Sequence, residues 1–499
     1  MINKLVFEDQ ITLYWDKEWQ LSNDIVYVTT LNGLDQKCSK KTHVTFDGLL
    51  PNTEYSIKIE RVVENDNFTV LFEGNILTAS KRRRLDVTAP PYNAKGDGET
   101  YSTEAIQKAV NDCGVGETVY IPKGVYKIGA LDLKSDMELY LEEGAILQGT
   151  TEVKDYLPKI WSRFEGEELE CYRSVINIGV LDNKAGYTTK NVVIRGKGAI
   201  VGGGQTLCNN VKAVETELLK EWLENNKELV ATCERPDTIP KRRRGRLINV
   251  SNCQNVVLSG LKLGMSASWN VHMVYSKDIV TCGCYIFSQG VSNGDGWDPD
   301  SSINCVCFNT DFETHDDGIA IKSGKNPEGN LVARPTKDVR VFDCRGRNAV
   351  AIGSELSGGI ENVFVWDCDY EESALGLNIK TTTKRGGYVK NVKVKNCKMV
   401  GIGVRTKYGC NNDGVGSGSL TVIEDICFED IYFYGRKPNH IIVPDNYRDP
   451  IYFDGFDDLP IKNLTLKNIY VQKRPDGEAQ DVLIKNVEGL DVDGVKFGD

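Results

Sequence analysis

The chain has 499 residues, 40% hydrophobic and 26% charged, with a formal net charge of −11 at pH 7. That length exceeds one ordinary hydrophobic core and predicts a small domain beside a long repetitive one. The acidic balance argues against nucleic-acid binding and against attraction to an acidic membrane surface, so a polyanionic ligand requires locally gathered cations, and no apolar run is long enough to span a bilayer.

The opening, MINKLVFEDQITLYWDKEW, holds neither an apolar core nor a small-residue cleavage site of the kind that directs export. Fifteen cysteines, an odd number, are scattered singly along strand-like segments, which predicts reduced buried thiols in place of a disulfide framework or a zinc site. Both features predict a cytoplasmic location, or secretion if a leader was removed. Residues 1–80 read as short alternating strands (ITLYWD, DIVYVTTL, THVTF, EYSIKIERV, VLFEGNILTA) separated by turn residues, the pattern of a small β-sandwich. Within them Tyr55 heads a strand after a Leu-Pro corner, which resembles the tyrosine corner of fibronectin type III modules. Residues 81–92, charged and proline-rich, read as a linker, with Lys81 to Arg84 as a solvated hinge.

Residues 93–499 carry one long pattern. STEAIQKAVNDC, residues 102–113, has apolar positions at helical spacing behind a Ser/Thr cap. Strand-like runs then recur: KNVVIRGKGAIVGGG, LINVSNCQNVVLSGLKL, HMVYSKDIVTCGCYIF, SSINCVCFNTDF, TKDVRVFDC, IENVFVWDC, VKNVKVKNC, IEDICFEDIYF, IKNLTLKNIYV. Each is a short β-branched strand preceded by Asn, Asp or Lys, and the period is irregular because the turns differ in length. The fixed LxxLxLxxN period of leucine-rich repeats is missing. The fold expected is all-β: a right-handed parallel β-helix in which each strand bonds to the coils before and after it, with the helix near 102 covering its open N-terminal end. Cys253, Cys284, Cys305, Cys344, Cys368 and Cys397 recur at like positions and are expected to stack as an internal ladder. Residues 205–246 break the rhythm and read as an insertion from one coil that walls a groove. Its basic end, Lys241 to Arg246, fits either an anionic ligand or a solvated loop.

The chemistry gathers between Asn293 and Gly324, where Asp295, Asp298, Asp300, Asp316 and Asp317 stand close together. Crowded carboxylates raise one another's proton affinity and cost stability, so a fold keeps them mainly for acid and base work or for a cation. Asp295 and Asp316 are 21 residues apart, as are Cys284 and Cys305. If that is one coil, Asp295 lies over Asp316 at roughly the 4.8 Å spacing of neighbouring strands.

YNAKGDGETYSTEAIQKAV, SASWNVHMV, NGDGWDPDSS, HDDGIAIKSG, AIGSELSGG and NIKT together resemble glycoside hydrolase family 28, the polygalacturonases, in its exo-acting bacterial branch with a leading fibronectin-like module; the resemblance covers about residues 90–470. The family's Asn-Thr-Asp stands here as Asn293, Gly294 and Asp295, and its Asp-Asp pair as Asp316 and Asp317. The resemblance implies an inverting hydrolase of α-linked galacturonate in pectic oligosaccharides, exo-acting, with no metal or organic cofactor. Asp316 is then the acid, while Asp295 and Asp317 position and deprotonate water on the other face, the two sides about 6.5–9.5 Å apart. Their charges are expected to help keep Asp316 protonated. Clustered aspartates also suit a calcium-dependent lyase, but that chemistry wants an Arg or Lys base that the motifs do not supply. A non-catalytic carbohydrate-binding β-helix is the rival of a different class.

On the substrate side the chain departs from the family. Arg347 falls where the family's Gly-His-Gly carries histidine, and Asn378, Ile379, Lys380 replace Arg-Ile-Lys. The family's arginine and lysine grip a carboxylate on the leaving sugar, and asparagine cannot make the bidentate pair. Either Arg347 takes over that charge, or the leaving sugar is neutral, such as rhamnose, or a decorated uronic acid. Asn293, His315, Arg347, Asn378, Lys380 and Lys322 are the candidate substrate-binding residues. His315 either tunes Asp316 or fills a turn. Lys384 and Arg385 are candidates to line the groove, and Trp269, Trp297 and Tyr408 to stack on sugars.

Overall fold

The computed structural model describes the chain except for residues 1, 64–66, 232, 234–235, 237, 372–375, 409–414, 436–449, 478–479 and 499. It divides into two units, Met1–Arg84 and Leu85–Asp499. In the first, a three-stranded sheet (Ile2–Val6, Gln10–Trp15, His43–Asp47) accompanies a four-stranded one (Asp35–Ser39, Val26–Leu31, Glu54–Val63, Asn67–Leu77). All pairs are antiparallel. Alternate residues Ile11, Leu13 and Trp15 of one sheet and Tyr27, Ile57 and Ile59 of the other share one core, as period-two patterning requires. The Tyr55 hydroxyl accepts a 2.9 Å bond from the Leu50 N–H, the contact a tyrosine corner makes. Lys81, Arg83 and Arg84 are exposed, and within the first unit Arg84 pairs with the buried Glu8 at 2.8 Å. From Leu85 onward the expected linker already belongs to the second unit, whose core buries Leu85, Val87 and Ala94.

The second unit is a parallel β-helix of three sheets with 13, 8 and 11 strands, stacked coil on coil. A local rule explains the Asn and Asp at the start of each repeat. Asn191, Asn255, Asp278, Asn304, Asp338, Asn362, Asn391, Asp425 and Asn463 all hold φ between 53° and 60°. Asn and Asp tolerate that left-handed conformation where β-branched residues do not. Their side chains bond from coil to coil, as in Asn255 to Asn191 at 2.8 Å and Asn391 to Asn362 at 2.7 Å.

The cysteine ladder is shorter than expected. Phe342 pairs with Trp366, and Trp366 with Lys395, which puts Cys344, Cys368 and Cys397 on one row. Cys284 lies on that row one coil before Thr310, because Tyr285 pairs with Asp311. Cys305 belongs elsewhere, opposite Ile279 and Val339. Cys253 belongs to a row of hydroxyls, its N–H bonding Ser276 Oγ at 3.0 Å.

Helix Thr103–Asp112 buries Ile106, Ala109 and Val110 in the core of the first coils. Ser102 does not cap it through its side chain; that hydroxyl bonds the backbone of Lys95 instead. The insertion is helical, running through Gly204–Leu218, Lys220–Asn225, Lys227–Ala231 and Thr238–Lys241 before strand Ile248–Ser251.

Candidate active site

Strands Val271–Val274, Trp297–Asp300, Ile319–Ile321, Val350–Gly353, Leu377–Lys380 and Ile402–Arg405 follow one another in the 11-stranded sheet. Side chains alternate between the two faces of a strand. Trp297 therefore points inward, fully buried with its Nε1 on Thr281 Oγ1 at 3.0 Å, which removes it as a sugar platform. Asp298 and Asp300 belong to the outer face.

The register corrects the sequence reading by one residue. Trp297 pairs with Ile319, and the Gly296 N–H bonds the Asp317 carbonyl at 3.0 Å. Asp295 is thus level with Asp317, and Asp316 stands one residue earlier along its coil. The matching cysteine interval was a coincidence, because the coil at Cys305 pairs it with Ile279. Turn lengths differ between coils, so equal spacing does not mean equal height. Ile319 pairs with Val350, which sets Arg347 on the coil after Asp316.

Asp295 is 3% exposed, and its Oδ2 lies 3.3 Å from Lys322 Nζ. Lys322, itself buried, also reaches Glu355 at 3.5 Å and sits over the Trp269 ring. It is therefore an internal counter-charge and neither a solvated lysine nor a groove lining. Burial, then Asp298, Asp316 and Asp317, push the Asp295 carboxyl well above the usual range, against the pull of Lys322. Asp298 is pushed up as well, first by burial and then by Asp317, Glu355 and Asp300, again against Lys322. Among the described residues neither oxygen of Asp298 has a hydrogen-bond partner. Lys322 touches Asp295 directly and draws on Asp298 as well, so one ammonium serves two carboxyls that burial drives toward protonation.

Asp316 and Asp317 are half-buried and His315 is exposed. Lys380 Nζ is 2.7 Å from Asp317 Oδ2. Burial works against the charge on Lys380, but Asp317, with Tyr408 and Asp316, more than offsets it and holds the proton on the ammonium. The Asp317 N–H bonds Asp316 Oδ1 at 2.9 Å. Asp300 has a different task. Burial opposes its ionisation, yet Arg163 at 2.8 Å and His272 at 3.2 Å outweigh that and hold its carboxyl far below the usual range. Burial also lowers His272 to about 4, so its imidazole is neutral.

Arg163 comes from an antiparallel hairpin, Ile160–Phe164 with Glu167–Cys171. This hairpin lies on the outer face of the sheet. Ser162 Oγ reaches Asn249 Oδ1 at 3.4 Å, and Phe164 stacks on Trp269 with centroids 4.6 Å apart. The Gly166 carbonyl accepts from the Lys325 N–H at 2.9 Å. Trp269 is thereby covered and offers no face to a sugar. Asn249, His272, Asp298 and Asp300 are each at most 1% exposed beneath this cover.

The basic end of the insertion is neither solvated nor a ligand site. Arg242, Arg244 and Arg246 are all buried. Arg242 pairs with Glu165 at 2.8 Å, and Arg246 donates to His272 Nδ1 at 3.3 Å. Arg244 donates to Asn293 Oδ1 at 2.8 Å, so that amide oxygen anchors a loop. Asn378 is buried with its amide on the Gly376 carbonyl at 3.2 Å. Arg385 is buried too, bonding the Ser354 carbonyl and Asn326 Oδ1, and does not line the groove. Lys384 is half-buried, Arg347 exposed, and Tyr408 half-buried beside Lys380. Sequence reasoning missed Arg163, Glu355 and Arg405. Arg405 pairs in register with Lys380 on the next coil; a strand of outward Lys and Arg at equal level was the signal for it.

The profile of glycosyl hydrolases family 28 matches residues 113–443. The chain belongs to that family. The family 28 chain is 29% identical over 389 residues to an exo-poly-alpha-D-galacturonosidase of Dickeya chrysanthemi, covering 73% of this chain but 64% of that protein's length. It is 25% identical over 433 residues to an endo-polygalacturonase of Pectobacterium carotovorum subsp. carotovorum, covering 83% and 95%. In fold it is similar to the family 28 exopolygalacturonase of Yersinia enterocolitica, with TM-score 0.77, 19% identity and coverage of 100% and 96%. The Thermotoga maritima exopolygalacturonase gives TM-score 0.67 at 24% identity, covering 82% and 92%.

Proposed function

We propose that this chain hydrolyses α-linked galacturonate from the end of pectic oligosaccharides with inversion at the anomeric carbon. The observation that carries the reading is the set of three carboxylates on adjacent coils, two of them half-buried, with a lysine in contact with one of them. Asp316, half-buried, donates its proton to the glycosidic oxygen. Asp317, held in place by Lys380, and Asp295 orient a water and take its proton on the opposite face of the sugar. Exo action follows from the hairpin. It covers the outer face of the preceding coils, so a substrate extends only toward the later ones, past Lys380 and Arg405. The test is hydrolysis of galacturonate oligosaccharides followed by NMR: monomer or dimer release with an initial β-anomer supports the reading, and an initial α-anomer refutes inversion.

One set of contacts favours a second substrate. Lys380 is committed to Asp317, and the Asn378 amide to the Gly376 carbonyl. Neither is left to grip a leaving-side carboxylate, which suits a neutral or decorated leaving sugar, as in rhamnogalacturonan. Exposed Arg347, on the coil after Asp316, suits a galacturonate there. Equal cleavage of digalacturonate and a galacturonate–rhamnose disaccharide refutes the neutral-sugar alternative.

A further inference from the structure

We propose that the helical insertion of residues 204–246 is a clamp that positions Asp295, with Gln205 and Arg244 as its two positioning residues; the inference rests on the hydrolase reading above. Gln205 lies at the start of the insertion and Arg244 at its end. The Ser292 N–H donates to Gln205 Oε1 at 2.8 Å, and Arg244 donates to the Ser292 carbonyl at 2.8 Å. One backbone unit, three residues before Asp295, is thus gripped on both its polar groups by opposite ends of the same insertion. Arg244 also donates to Asn293 Oδ1 at 2.8 Å and to the Ala267 carbonyl at 2.7 Å.

Arg244 is fully buried, which is costly for a guanidinium. Among the described residues its donors go to neutral acceptors, so geometry and not charge neutralisation accounts for it. The gripped segment has little slack. Asn293 holds φ +53°, and a Cβ on Gly294 would lie 2.7 Å from Ser288 Oγ. Ser288 Oγ donates to the Gly294 carbonyl and accepts from the His315 N–H, tying this loop to the residue before Asp316. The Asp295 carbonyl accepts from both the N–H and the Nδ2 of Asn270, each at 2.9 Å. Removing the insertion's grip frees the chain on the side of Asp295 that the sheet does not hold.

The test uses the full chain with Arg244→Lys, Gln205→Ala and Gln205→Glu, assayed on a galacturonate oligosaccharide and by hydrogen exchange of residues 291–297. A displacement near 1 Å costs on the order of 100-fold in rate, so Arg244→Lys is expected to lower kcat by roughly 10- to 100-fold while KM moves less than about threefold. Gln205→Ala, the milder change should the first not fold, lowers kcat several-fold. Gln205→Glu keeps an acceptor for Ser292 and restores most of it. Exchange accelerates at residues 291–297 and not at Ile319–Ile321. Unchanged kcat in folded Arg244→Lys and Gln205→Ala overturns the clamp and leaves the hydrolase reading standing, and so does exchange that quickens equally in both segments. A parent chain that cleaves no galacturonate oligosaccharide refutes the reading instead; the exchange measurement then decides the clamp alone, and an unchanged rate at 291–297 overturns it.

Discussion

Two halves of one sheet face meet at strand Trp297–Asp300 and use the same residue types to opposite ends. On the side covered by the hairpin, Asp300 is fully buried and ionised, because Arg163, His272 and the Gly324 N–H at 3.0 Å all serve it. On the open side, Asp317 is 20% exposed and contacts Lys380 at 2.7 Å. Between them Asp298 is as buried as Asp300 and that burial pushes it toward holding a proton, since among the described residues neither of its oxygens has a donor. Burial alone does not decide the charge of an aspartate here; the supply of donors does. The covered half spends its cations on architecture, and the open half keeps its carboxylates within reach of solvent.

If the halves are divided in this way, substitutions should separate activity from stability. The largest effect belongs to the open side. Asp316→Asn removes the proposed acid, and kcat is expected to fall by roughly 100- to 10,000-fold with little change in melting temperature. Activity equal to the parent in reducing-sugar release would leave the carboxylates without a catalytic task. The reverse pattern is expected at Arg163→Met. It strands the Asp300 carboxylate in the interior, a loss of about 3–5 kcal/mol, seen as a lower urea midpoint. Once the hairpin is unlatched the product ladder should lengthen from chain-end products to internal fragments. A chain that keeps its stability and its end products would erase the distinction between the two halves.

Much of this division could not be read from the residues in order. Alternation and the Asn and Asp at the head of each repeat announce strands, coils and the left-handed turn, since those are local requirements of φ and of side-chain direction. The acid cluster was legible because its members are close in sequence. Its register was not: Asp295 is level with Asp317 and not with Asp316, a shift set by turn length, which leaves no periodic mark. The cations were the least legible. Arg163 meets Asp300 across 137 residues, and Arg242, Arg244 and Arg246, which read as either a ligand site or a solvated loop, are buried.

Lys380→Met tests the open side more gently. Losing the 2.7 Å contact frees the Asp317 side chain, and kcat is expected to fall roughly 10-fold with KM little changed. An unchanged kcat would mean that Lys380 does not position Asp317.

The smallest expected effect lies at the junction. The folded state raises the proton affinity of Asp298 above that of the unfolded chain. Its contribution is therefore fully present below the ordinary carboxylate pKa, near 3.9, and is lost as the pH climbs from there through the raised value, because only the unfolded form releases the proton readily. Asp300 runs the other way: its depressed affinity supports the fold above the ordinary pKa and fails only as the pH drops through its own lower value. Asp298→Asn removes the titration while keeping the shape of a protonated acid. Melting temperatures of variant and parent should agree near pH 4 and diverge in the variant's favour toward neutral pH. A constant difference across that range would mean that Asp298 is ionised in the fold, and that Lys322 serves it as Arg163 serves Asp300.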